Sequence, residues 1–244
     1  HEGWKADDLG NGLLLAKAKA KIAPSCDISH IVGPPQLDVI VVVDEDGSNT
    51  PTGEARRKRR VAHVRDLLGR SIASWALLRV CVVGAIDPKG PQAALAGRCC
   101  GGRFFDVREA DAIAACVADP NGDAEPQNHG LASMSAAITN ALPRASKADK
   151  VRPGAHLMVV MMAHRRDAIT NSALDPLGVS PQQCILDATQ SSALVAALKP
   201  HEELLKGKVD PKAAASFHLI GGTCGNTCGA AVSHGYELLA RRPG

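Results

Sequence analysis

The chain has 244 residues, enough for one sizeable domain with a short extension. Hydrophobic residues make up 45% and aromatic residues 2%, so Val, Ile, Leu and Ala must fill the core. A net charge of +3 and a pI near 8.5 are too mild to argue for nucleic acid, and "GLLLAKAKAKIA" is too short and too lysine-rich to span a bilayer.

Residues 1–36 read as a poorly structured or helical lead-in that ends at "GPPQ", whose paired prolines mark a boundary. The start at His1, without Met, is read as set by processing or cloning. "LDVIVVVD" (37–44) is a continuous apolar run and fits a strand buried on both faces. "GEARRKRRVAHVRDLLGRSIASWALL" (53–78) reads as a helix, with Val61, Val64, Leu67 and Leu68 recurring at three and four. Its basic run, Arg56 to Arg60, is either a solvated helix face or a surface for an anionic partner. No aromatic residue interleaves with it, so base stacking is unsupported.

A second strand is expected at 78–87, helices at 108–118 and 131–142, and a turn-rich loop at 119–130. A third buried strand follows at 154–164, then a short strand or turn at 182–188. Helical sequence flanks Pro200 over 190–207, a last strand spans 215–222, and a closing helix spans 230–242. Short apolar strands alternate with crossovers long enough for helices. The pattern predicts an α/β fold: a three-layer, Rossmann-like sandwich, its mostly parallel sheet covered by helices on both faces. In such folds ligands sit beyond the carboxyl ends of the strands.

Eight cysteines point to disulfides in an exported protein. Cys81 lies inside an apolar run and reads as a small core residue; Cys99, Cys100, Cys116, Cys184, Cys224 and Cys228 lie in loops or at element ends. The histidines form no His-x-x-x-His pair on a helix, and the "GGTCGNTCG" loop lacks the Lys-Ser/Thr ending of a nucleotide loop.

"DEDGS" (44–48) closes the first strand and places Asp44, Asp46 and Ser48 where a loop can turn their oxygens toward one point. Hard oxygen ligands suit Mg²⁺ or Mn²⁺. The other reading is an acidic turn that caps a helix through Ser48 or Thr52.

In these residues, and in the order of "RVCVVGAID", "GRFF", "HGLASMSAAI", "RPGAHLMVVMM" and the closing "HGYELLARRPG", residues 36–244 resemble von Willebrand factor type A domains of exported, cysteine-containing proteins. The resemblance implies residues 37–244 as one type A-like domain that binds a protein or surface ligand. It implies a site for Mg²⁺ or Mn²⁺ on Asp44, Asp46 and Ser48, with Asp119, Asn121 and Asp123 as second-loop candidates and Asp44 and Ser48 facing the ligand. Nucleic acid is not an expected partner. Two departures stand out. The second loop has no threonine, and "MAHRRDA" puts His164, Arg165 and Arg166 where the family has an aspartate, so like charge would oppose a metal.

The opening also resembles the Asp-x-Asp-Gly-Thr of haloacid-dehalogenase-like phosphohydrolases. That likeness implies Asp44 as nucleophile, Asp46 as acid/base and Lys199 as charge partner. The second and fourth motifs of that family are broken here. A third alternative is an inert structural subunit.

Overall fold

The computed structural model describes residues 5–8, 14–17, 36–44, 51–69, 77–120, 127–142, 144–207, 215–221 and 234–241. Two short strands come first. β1 (Lys5–Asp8) and β2 (Leu14–Lys17) pair antiparallel, with Lys5 opposite Lys17 and Asp8 opposite Leu14. The lead-in expected to be poorly structured or helical thus carries two strands, and the rest of residues 1–35 lies outside the described residues.

The apolar runs form the main sheet. β3 (Gln36–Val43) lies at its centre, between β4 (Leu77–Gly84) and β6 (His156–Ala163), and parallel to both. β7 (Ala215–Gly221) extends the sheet parallel to β6, and the two-residue β5 (Phe105–Asp106) runs antiparallel along β4. The order is β5-β4-β3-β6-β7.

Helices cover both faces because each central strand is apolar on both. On one face, Val39, Val43, Val80 and Val82 pack with Phe105, Ile113 and Val117, and with Val64. This face is covered by α1 (Pro51–Gly69) and α2 (Ala110–Ala118). On the other, Ile40, Val42, Val83, Leu157, Val159 and Met161 pack under Leu131, Ile138, Leu174, Leu198 and Tyr236. Those residues come from α3 (Gly130–Ala141), α4 (Ala168–Leu174), α5 (Ala188–Leu205) and α6 (His234–Arg241). Fully burying one such aliphatic side chain is worth about 1.5–3 kcal/mol relative to leaving it in water. The two-sided runs are therefore the main driving force for this sheet.

Several expected boundaries move. Of the helix expected over 53–78, α1 covers residues 53–69, residues 70–76 lie outside the described residues, and Leu77 and Leu78 belong to β4. Residues 182–187 form neither helix nor strand; Asp187 instead opens α5 with a capping box to Gln190. α5 then runs through Pro200 as one helix.

Two disulfides hold the β4 side of the sheet. Cys81 is buried in the core as expected, but it is bonded to Cys99, while the adjacent Cys100 is bonded to Cys116 of α2. Cys99 packs against the core on one face of the sheet and Cys100 against the core on the other. One dipeptide thus ties the loop after β4 to both layers. Cys184 is exposed, and Cys224 and Cys228 lie outside the described residues.

The chain leaves β3 toward β4 and β5, then returns to lay β6 on the other side of β3. The connections after β3 and β6 therefore diverge to opposite faces, with α1 on one and α4 on the other. That divergence opens a crevice beyond the carboxyl ends of β3 and β6, where ligands bind in sheets of this kind.

Candidate functional site

Asp44 is the first residue after β3, and His164 and Arg165 are the first two after β6. The parallel register that sets Val43 opposite Met162 brings them together, and the Asp44 N–H donates to the Met162 carbonyl at 2.9 Å. The Asp44 carboxylate is 1% exposed. Its Oδ1 accepts from Arg165 Nε at 3.0 Å and from Arg165 Nη2. Its Oδ2 accepts from the backbone N–H groups of Arg165 at 3.1 Å and His164 at 3.3 Å, and lies 3.1 Å from His164 Nδ1. Arg60 of α1 donates to the Asp44 carbonyl.

Burial on its own would push the Asp44 carboxyl up. The hydrogen bonds and charges of His164 and Arg165 outweigh it and hold the group below the usual carboxylate range. The acid is thus ionised and fully partnered by the protein itself.

The two arginines expected to oppose a metal do different things. Arg165 turns onto Asp44. Arg166 is buried elsewhere, donating to the carbonyls of Val179 and Ser180, with Asp175 at 3.5 Å. Asp119, which follows α2, is exposed and borders a separate cavity; Arg57 of α1 borders both that cavity and the one over Asp44. Asp46, Ser48, Asn121 and Asp123 lie outside the described residues. Among the described residues, no three His, Cys, Asp or Glu side chains converge as a metal-ligand set. A divalent ion on the Asp44 oxygens would stand beside the Arg165 guanidinium already bound there, and like charge opposes it. Lys199 is exposed near the middle of α5 and is not among the residues that line the cavity over Asp44.

Below Asp44 lies a second polar layer that the sequence does not announce. Asp167 caps α4 by accepting from the Ile169 N–H at 2.8 Å, and accepts from the Leu131 N–H of α3 at 2.9 Å. The Tyr236 hydroxyl, wholly buried, lies 2.9 Å from Asp167 Oδ2 and 3.0 Å from Asn128 Oδ1. Asn128 donates to the Arg165 carbonyl and accepts from the Gly130 N–H, so this layer supports the turn that aims Arg165. Burial holds the Asp167 carboxyl above its usual value despite these donors. Burial, together with the negative charge of Asp167 and Asp44, raises the Tyr236 phenol well above its usual value.

Gly130 has no room for a side chain here. A Cβ would come within 2.3 Å of the Tyr236 hydroxyl and 2.9 Å of Met161 Sδ. Gly130→Ala is expected to lower stability by about 1–3 kcal/mol, as overpacking does in rigid cores. A fall in the urea midpoint at unchanged slope checks it; an unchanged midpoint contradicts it.

The amino edge of the sheet has its own buried acid. Asp38 accepts from Arg79 at 2.8 and 3.0 Å, from the Arg152 N–H at 2.7 Å and from Arg152 Nε at 3.0 Å. Burial raises its pKa, but these two arginines lower it further, so the net shift is downward. For both Asp38 and Asp44 the folded pKa lies below the unfolded value of about 3.9. Their stabilisation is complete above that pH, falls as pH drops through it, and is lost below the folded value. Asp167 works in the opposite sense, because its raised pKa makes ionisation cost stability as pH rises through that value. Urea midpoints measured from about pH 6 down to about pH 2 should therefore fall steeply below about pH 4, and less steeply in Asp38→Asn. Equal slopes would contradict this assignment.

Compared with models of known protein families and with curated proteins, the chain matches none.

Proposed function

We propose that this chain is a binding module of type A-like architecture that engages a protein or surface ligand at the carboxyl edge of its sheet, without a resident divalent ion. The observation that carries this reading is the ion pair of Arg165 with Asp44. The position that would hold a metal ligand holds a carboxylate neutralised by the protein's own cation. Two disulfides support an oxidising, extracytoplasmic location. Among the described residues no helix is long and apolar enough to cross a membrane.

The same pair argues against a phosphohydrolase. A nucleophilic Asp44 would have to attack with both oxygens already engaged by donors, and Lys199 is not among the residues that line the cavity over it.

Thermal melting in chelator, Mg²⁺, Mn²⁺ and Ca²⁺ tests the reading, alongside release of p-nitrophenol from its phosphate. The expected result is one melting temperature in all four conditions and no hydrolysis above background. A rise with Mg²⁺ or Mn²⁺ that disappears in Asp44→Ala would overturn it in favour of a metal-dependent adhesion site. Hydrolysis abolished by Asp44→Asn would overturn it in favour of an enzyme.

A further inference from the structure

We propose that the cavity above Asp44 is a binding site for an oxyanion carried on an apolar stem, a phosphate ester or a carboxylate. This deepens the reading above, since it rests on the carboxyl edge being where ligand binds. The cavity has a volume of about 360 Å³, the scale of a small ligand or a single end group and not of a folded surface.

The basic run of the sequence supplies its wall. Gly53, Arg57 and Arg60 recur at four and three along α1, and Arg59 and His63 at four beside them, so one side of the helix turns toward the crevice. Where α1 turns away, its cations have acidic partners: Lys58 pairs with Glu54 at 2.6 Å and Arg65 with Asp111 at 2.9 Å. On the cavity side, among the described residues, neither Arg57 nor Arg59 makes an ion pair with a carboxylate, and Glu54, which feels the charge of Arg57, has its own pair with Lys58. Among the described residues the one acid in the wall is Asp44, which already has Arg165 as its counter-ion.

Several guanidinium groups facing one space repel each other, and an anion between them relieves that repulsion. Their planar forks match carboxylate and phosphate oxygens two at a time. Met162, Ala163 and the half-exposed Ile220 line the same cavity and give an alkyl or aryl stem something to cover.

Calorimetric titration of the full chain with phenyl phosphate, benzoate, inorganic phosphate and benzyl alcohol tests this. The double variant Arg57→Gln/Arg59→Gln serves as control; Arg57 is partly and Arg59 well exposed on α1, and the hydrogen bonds of Asp44 run to Arg60, Met162, His164 and Arg165. The expected result is saturable binding of phenyl phosphate or benzoate at one site per chain, weakened roughly tenfold or more in the double variant. Inorganic phosphate should bind more weakly than phenyl phosphate, and benzyl alcohol should not bind. Which of the two aryl anions binds tighter identifies the headgroup. Binding of equal strength in wild type and variant would place the anion elsewhere and overturn the proposal. Absence of any anion binding would overturn it too, while metal-independent melting would leave the broader reading standing.

Discussion

Arg165→Ala is expected to cost the fold about 3 kcal/mol. The magnitude follows from an asymmetry. Asp44 is wholly buried, whereas the Arg165 side chain is 24% exposed. Removing the arginine side chain strands an anion where water does not reach, with the carboxylate left to His164 and the backbone N–H groups of residues 164 and 165. Removing the charge from the other side, as Asp44→Asn, leaves a cation that can turn outward to solvent, and should cost only about 1 kcal/mol. Chemical denaturation of the two variants should therefore rank Arg165→Ala well below Asp44→Asn. The reverse order would mean that Asp44 is not the buried partner described here. Arg165→Ala also frees Asp44 Oδ1, while Oδ2 keeps its His164 and backbone partners.

Reducing the two disulfides is expected to have the largest effect on stability. The bridges close loops of 18 and 16 residues. Loop-closure entropy gives each about 3 kcal/mol, and about 6 kcal/mol together if they act independently. Domains of this kind are stable by only about 5–15 kcal/mol in all, so the reduced chain should be marginal or unfolded. Cys99 and Cys100 are neighbours, and their bridges run to opposite faces of one sheet edge, so each limits a different motion of the same loop. Cys99→Ser and Cys100→Ser should each lower the urea midpoint, and reductant should collapse the wild type toward the double variant. A fully reduced protein with an unchanged midpoint would show that the bridges are incidental. Such dependence would also tie correct folding to an oxidising compartment.

The sheet was legible because its strands are buried on both faces. A strand with helices above and below has no polar side to show, so 37–44, 78–87, 154–164 and 215–222 stand out as largely apolar runs. Elements without such a run did not stand out. α4 is seven residues long, too short for helical periodicity to register, and its one signal was Asp167 standing as a cap before "AIT". β5 is two residues and exists only because β4 offers it an edge.

The site divides in the same way. Asp44 was legible as the residue that ends the central strand. That Arg165 and not Arg166 would turn onto it was not, because adjacent side chains leaving a strand point in opposite directions, and the register against β3 decides which one faces the crevice. The supporting layer of Asn128, Asp167 and Tyr236 joins residues 108 and 69 positions apart. Neither spacing nor composition marks a contact made at that range. Asp38 was hidden differently. It sits within an apolar run and is tolerated there only because Arg79 and Arg152 reach it from two other segments.

A double-mutant cycle on Asp44→Asn and Arg165→Ala, with stability read by urea denaturation, decides whether the arginine neutralises the strand-end acid. If the protein's own arginine takes the place of a cation at the strand end, the two changes will be strongly non-additive. The double variant should then be more stable than Arg165→Ala alone, with a coupling of about 2 kcal/mol. Additivity within about 0.5 kcal/mol would contradict the account, because it would mean that Asp44 and Arg165 do not neutralise each other in the folded protein.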